Sequence, residues 1–236
     1  MTPPETALLL IGSAKPAGES SSEALGAYLL RRLAERNVST ETRYVTRVLR
    51  TEARASEFLQ ATDRADLLIL AFPLYVDSLP YLVTEALERI TAHRQAQPSP
   101  APTSFLAIAN CGFPEAAHNA TALAICQQFA NEADFAWAGG LALGEGGAIS
   151  GRPLAEGGGM VHNVVAALDL AATALAAGKP APEEAVALMA RPFIPASAYM
   201  LMGDLGWLMQ AGHNRALTRL SARPFGRSLS PGAQRG

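Results

Sequence analysis

"ALLLIGSAKPAGESSSEALGAYLL" (residues 7–30) is the stretch on which the reading of this chain turns. An aliphatic run, Ala7 to Ile11, stops at Gly12. A small, hydroxyl-rich stretch follows, and then leucines return at helical spacing. A continuous aliphatic run suits a strand covered on both faces. Leu25, Leu29, Leu30 and Leu33 fall on one stripe of a helix. The stretch from Gly12 to Ser22 has neither the G-x-G-x-x-G nor the G-x-x-x-x-G-K-[ST] order. It does place Ser13, Lys15, Ser20, Ser21 and Ser22 ahead of a helix N-terminus, where free amides and a partial positive charge favour an anion. Ser20-x-x-Glu23 is also a capping box, which by itself requires only a helix. A capped turn and a phosphate cradle are both open readings, but a loop this long with three serines exceeds what a cap needs.

The same alternation continues outward. Residues 66–72 (DLLILAF), 104–110 (SFLAIAN) and 135–146 (FAWAGGLALGEG) read as further buried strands, and 40–47 (TETRYVTR) alternates like an outer one. Helical patterns fill 24–36, 55–65, 81–93, 116–133 and 161–178, the last closed by Gly178 and Pro180. Strand–helix alternation predicts an α/β chain with a doubly wound, mostly parallel sheet. The predicted boundaries are 1–178 for this domain and 179–236 for a C-terminal helical extension, packed on the same domain or on a partner subunit. A Pro-rich loop is expected at 95–103.

Composition narrows the function classes. The chain has 236 residues, 49% hydrophobic and 17% charged, with a net charge of −2. A sizeable core is expected, and the lack of a basic excess argues against nucleic acid as partner. Two cysteines make neither a disulfide framework nor a cysteine-held iron–sulfur cluster. The opening MTPPETALLLIG lacks a basic n-region, and the apolar stretches are interrupted by Asp169 and Asp204, so a cytoplasmic protein with no membrane span is expected. No residue cluster has metal-site spacing.

In open α/β sheets ligands sit beyond the carboxyl ends of the strands. The loops after the buried strands are therefore the candidates. In PLYVDSLP (73–80) two prolines bracket Tyr75, which can stack on a planar ligand, and Ser78 is expected to cap the next helix. In NCGFPEAAHN (110–119), Cys111 and His118 suggest a thiolate–imidazolium pair. The absence of a G-x-C-x-G elbow favours an inert thiol instead. Gly112 permits close backbone approach, Phe113 can cover a ring face, and His118 is either a polar contact near a substrate or a solvated helix residue. GEGGAISGRPLAEGGG (144–159) reads as a lid or a linker.

A hydroxyl-rich first loop, P-L-Y-x-D-S-L-P and N-C-G-F-P-E together resemble the flavodoxin-like NAD(P)H-dependent FMN and quinone oxidoreductases. The resemblance covers residues 5 to about 165, with a looser likeness from Pro195–Tyr199 through Gly206-Trp207 to Arg223-Pro224-Phe225. It implies a flavodoxin-like five-stranded parallel sheet of order 2-1-3-4-5. It also implies FMN as cofactor, NADH or NADPH as hydride donor and a small-molecule electron acceptor, in a homodimer or higher homo-oligomer. On that resemblance Ser13, Lys15, Ser20, Ser21 and Ser22 line the phosphate. Pro73, Leu74, Tyr75 and Val76 flank the isoalloxazine, and Asn110, Cys111, Gly112 and Phe113 approach its other side or its pyrimidine edge. Lys15 and Glu23 make the first loop more charged than in small flavodoxins. The chemistry is then flavin-borne, with His118 as the one candidate catalytic side chain. Met200, Leu201, Leu205, Leu208 and Met209 form an apolar stripe suited to a subunit boundary or to intramolecular packing. The competing readings are a cysteine-dependent hydrolase using Cys111 and His118, a one-electron carrier, and a non-catalytic binding domain.

Overall fold

In the computed structural model, residues 1–97, 102–149 and 151–222 are described. The aliphatic run becomes β1 (Thr6–Ile11), followed by α1 (Ser21–Ala34), β2 (Ser39–Tyr44), a single turn α2 (Val45–Val48) and α3 (Glu52–Arg64). Then come β3 (Leu67–Pro73), α4 (Tyr81–Ala96), β4 (Thr103–Asn110), α5 (Ala120–Glu132), β5 (Phe135–Leu143), α6 (His162–Ala176), α7 (Glu183–Met189) and α8 (Ala196–His213). The five strands form one sheet of order β2-β1-β3-β4-β5. Every pair is parallel. Within the Pro-rich loop, residues 98–101 lie outside the described set.

Side chains alternate across the strands, and this divides the core in two. Leu9, Ile11, Ile69, Ala71 and Ile108 face α1 and α6. Leu8, Leu10, Leu70, Phe72 and Phe105 face α3, α4 and α5. The predicted stripe of α1, Leu25, Leu29, Leu30 and Leu33, is wholly in the first of these cores. Each such leucine contributes about 1.5–3 kcal/mol by leaving water. Ser20 caps α1, its Oγ accepting from the Glu23 amide at 3.1 Å.

Helix α6 is Ala-rich because it lies against α1 and α7, burying Val164, Ala167, Leu168, Ala171, Ala172 and Leu175. The stretch Gly158–Ala176 is long and apolar enough to cross a bilayer, by length and composition alone. Asp169, read from sequence as an interruption, pairs with Arg32 of α1 at 2.6 Å and accepts from the Tyr28 hydroxyl at 3.0 Å. The helix thus joins a core through its apolar face and a neighbour through its charge.

The chain divides into two compact units at Phe193/Ile194, downstream of the predicted boundary at 178. Helix α7 accounts for the difference, since it packs on α6 and β5. Ala138 is an extra residue in β5, between Phe105↔Trp137 and Leu106↔Gly139, and its carbonyl accepts from the Ala181 amide at 2.8 Å. The second unit is described through Ala222, so Arg223-Pro224-Phe225 lie outside the described residues. Its α8 leaves Met200, Leu201, Leu205, Leu208 and Met209 exposed.

Cys126 of α5 is fully buried, and burial pushes its thiol from 9.0 up to about 12. A raised value means that the folded state resists ionisation while the unfolded chain ionises. The thiol's contribution is therefore intact below pH 9 and is lost as pH rises toward 12. Urea denaturation is expected to show stability falling by about 1 kcal/mol per pH unit above pH 9 from this group. Cys126→Ala is expected to flatten that slope.

Candidate functional site

Three of the four parallel ladders, β1–β3, β3–β4 and β4–β5, continue by one bond past the end of a strand, and this draws the loops together. Gly12 N donates to Ala71 O at 2.8 Å, Leu74 N to Asn110 O at 2.8 Å and Cys111 N to Leu143 O at 3.0 Å. Gly146 N then returns to Cys111 O at 2.8 Å, and the Ser21 hydroxyl donates to Gly146 O at 2.6 Å. The four loops after β1, β3, β4 and β5 are thereby laced side by side at the carboxyl edge of the sheet. Gly12 is required where the first loop leaves β1, because a Cβ there would stand 2.5 Å from Val83 Cγ2 and 2.8 Å from Phe72 Cβ.

Asn110 joins the first three loops. It is 6% exposed, and its Nδ2 donates to Ser22 Oγ at 2.7 Å and to Phe72 O at 3.0 Å. In the first loop Ser13 Oγ accepts from Lys15 N, and Ser20 Oγ from Glu23 N, so both hydroxyls keep a proton to donate. The Ser21 proton is committed to Gly146 O. The amides of Ser21 and Ser22 head α1, where a helix leaves its first donors without intrahelical partners. The segment Ala14 to Glu19 is exposed and includes the Lys15 ammonium.

Glu23, in the first turn of α1, turns sideways. Its Oε2 accepts from Gly18 N at 2.7 Å and its Oε1 from the Tyr44 hydroxyl at 2.7 Å. Burial, together with this bond to a carboxylate, pushes Tyr44 up to about 12, so the phenol keeps its proton. No sequence pattern connected Tyr44 of the outer strand to the first loop.

The second loop is a two-residue reversal. Tyr75 N donates to Ser78 O at 3.0 Å and Ser78 N to Tyr75 O at 3.1 Å, with Val76 at φ 49 and Asp77 at φ 58. Two successive positive φ values define a type I′ turn, whose favoured residues are Asn and Gly. Val76 there is a β-branched residue in the left-handed region, a strained choice costing about 1–3 kcal/mol. It is 98% exposed, and Tyr75 beside it is 48% exposed. Ser78 does not cap the next helix. Pro80 is the N-cap of α4, because the hairpin bonds hold Ser78 two residues too early.

In the third loop Cys111 and His118 each have other partners. Cys111 Sγ lies 3.6 Å from Phe113 O and accepts from Asn119 Nδ2 at 3.4 Å. Burial pushes the thiol up, away from the thiolate a nucleophile needs. The His118 ring stacks 4.5 Å from that of Phe113, and its Nε2 lies 3.7 Å from Glu115. Gly112, Phe113 and His118 are exposed at the rim, whereas Asn110 and Cys111 lie beneath it.

The glycine-rich fourth loop is anchored at several described residues. Ile149, Leu154 and Val161 are buried, and Gly151, at φ 75, lies so close to the first loop that a Cβ would stand 2.5 Å from the Glu19 carbonyl carbon. Glu145, fully buried at φ 53, accepts from Phe193 N. The sequence carried no signal for this anchor, since Glu145 and Glu156 both stand beside glycines in the same loop. Among the described residues no group of three or more His, Cys, Asp or Glu side chains is placed to hold a metal ion.

No protein-family model matches the chain, and no curated protein sequence does. Solved structures do share its fold. The Trp repressor binding protein from Bacillus subtilis is 12% identical with a TM-score of 0.52, over 69% of this chain and 95% of that one. A protein described as flavone reductase is 12% identical with a TM-score of 0.52, over 71% of this chain and 63% of that one. With the strand order above, the fold is flavodoxin-like.

Asn110→Ala removes two buried donations and is expected to cost about 1–3 kcal/mol in urea denaturation. Asn110→Asp, which cannot donate to Phe72 O, is expected to cost more.

Proposed function

We propose that this chain is a flavin-dependent oxidoreductase that holds FMN at the carboxyl edge of its sheet and passes hydride from NADH or NADPH to a small acceptor such as a quinone or a flavin. The observation that carries this reading is the lacing of the four loops around Asn110, which gathers an anion-favouring helix start and two exposed aromatic side chains at one edge. A flavone reductase on the same fold accords with it.

The residues fit the cofactor. For a phosphomonoester there are the hydroxyls of Ser13 and Ser20, the amides of Ser21 and Ser22 and the exposed Lys15 ammonium. Ser22 also orients Asn110, and the Ser21 hydroxyl ties the fourth loop in place. For the flat ring system, Pro73, Leu74, Tyr75 and Val76 form one wall. Gly112 and Phe113 form the other, with open space where a Cβ on Gly112 would stand. Asn110 and Cys111 act from beneath, fixing the backbone that carries this wall.

Bound flavin supplies the hydride chemistry itself. The chain binds it, orients it and keeps the site firm. Tyr75 and Phe113 offer apolar faces to flat reactants, and His118, steadied by Glu115 and Phe113, stands at the rim as a polar contact for the acceptor. Val76, strained at φ 49 and 98% exposed, would lie beside the ring, a role that would account for the strain. Burial of Cys111, the rise this causes in its thiol and its contacts with Asn119 and Phe113 weigh against the cysteine-hydrolase alternative. The chain is proposed to work in the cytoplasm as a homo-oligomer, with the exposed apolar residues of α8 available for self-association.

The purified protein is expected to be yellow, to release FMN on heating and to oxidise NADH or NADPH with a quinone or free flavin. A colourless protein that FMN titration cannot colour would refute the reading. A stable semiquinone without nicotinamide oxidation would make it a carrier. Lys15→Ala is expected to weaken FMN binding about tenfold, or ~1.4 kcal/mol, in a fluorescence titration. Val76→Gly is expected to raise stability by up to about 1 kcal/mol while weakening the flavin site.

A further inference from the structure

Beyond the first loop lies a concentration of positive charge in a chain whose net charge is −2. Residues 43–54, RYVTRVLRTEAR, carry four arginines against one glutamate. Three of them, Arg43, Arg47 and Arg54, line one cavity of about 270 Å³ with Thr42, Tyr44 and Glu57. Arg43 comes from the end of β2, Arg47 from α2 and Arg54 from the first turn of α3, so separate elements converge on the cavity. Arg43 is paired with Glu41. Arg47 lies 4.7 Å over the Tyr44 ring, and among the described residues no carboxylate is within ion-pairing distance of Arg47 or Arg54. Even with Glu57 counted, cations exceed carboxylates in the lining.

Guanidinium groups presented from several directions are suited to a phosphate dianion, which accepts their planar, paired donors. The volume is just below the range of whole small-molecule sites, so it suits one end of a longer ligand. Its position says which end. Tyr44 is in register with Ile11, so the cavity sits at the carboxyl end of β2, one strand outside the first loop. The third loop follows β4, three inter-strand spacings from β2, or about 14 Å. A dinucleotide whose nicotinamide stood at the third loop would reach this edge if it extended across the rim. Glu23, bonded to both Gly18 and Tyr44, sets the cavity apart from the first loop and its anion.

We propose that the cavity lined by Arg43, Arg47 and Arg54 binds the 2′-phosphate on the adenosine of NADPH and makes this chain select NADPH over NADH. The inference rests on the oxidoreductase reading for its ligand, but its test does not require turnover. The full chain is titrated calorimetrically with adenosine 2′,5′-bisphosphate and with 5′-AMP, with and without added FMN. The bisphosphate is expected to bind at least ~10-fold more tightly. Arg47→Ala/Arg54→Ala is expected to abolish that difference and to leave FMN binding unchanged, and the Lys pair to restore only part of it. In turnover, the Ala pair is expected to raise KM for NADPH and not for NADH. Equal binding of the two nucleotides, or discrimination that survives the double substitution, overturns the proposal. Loss of FMN binding in the double variant also overturns it, assigning the arginines to the flavin phosphate. A chain that discriminates the nucleotides yet takes up no FMN retains the arginine site and loses the oxidoreductase reading, so the two failures are separable.

Discussion

The Asn110 side chain is the constraint around which the carboxyl edge of this molecule is arranged. A primary amide has two protons, and here both are used on neighbours that no backbone ladder connects: the carbonyl of Phe72 at the end of β3 and the hydroxyl of Ser22 in the first turn of α1. Because the group is buried, neither donation can be replaced by water without cost. The position of α1 relative to the tips of β3 and β4 is therefore fixed by directional bonds as well as by the leucines beneath it. Everything further out is hung from that frame: the serine loop, the strained reversal at Val76 and the Gly112–Phe113 backbone.

The frame explains how a loop with several small residues is held firm. Ser21 hands its proton to Gly146, and Gly151 allows the fourth loop to lie directly on the first. Glu23 braces the far side through Gly18 and Tyr44. Hydroxyls and glycines that looked interchangeable in sequence have separate tasks. Ser20 caps, Ser21 tethers, and Ser22 receives Asn110. Ser13, Ser20 and Ser22 all accept through their oxygens and keep a hydroxyl proton to donate, whereas the Ser21 proton is spent on Gly146.

The architecture was legible because burial on both faces leaves continuous aliphatic strands, and helices packed on one side leave leucine stripes. Ala7–Ile11 and Leu25–Leu33 needed no tertiary information. The candidate loops followed from their places after the buried strands. What sequence could not supply were bonds between distant residues. Nothing local ties Tyr44 to Glu23, or Phe193 to Glu145. Ser78 looked like a cap because Pro80 follows it, whereas the hairpin bonds decided otherwise. Helix α7 was assigned to the extension because its short run of residues says nothing of what lies against it. The arginines of 43–54 were dispersed over a strand and two helices, so only the fold brings them to one hollow.

The bond from Ala181 to the carbonyl of the extra residue Ala138 has a consequence for the molecule in a crowded solution. An outer strand with free peptide groups invites a stranger's strand to add to it. Here the β5 border is bent by the bulge and shielded by the segment leading into α7. The opposite border, β2, carries Glu41 and Arg43 among hydroxyl residues, which is poor material for stacking copies. The apolar border is thus guarded by its bulge and covering segment and the other by its charges, two different devices against extension of the sheet by a foreign strand.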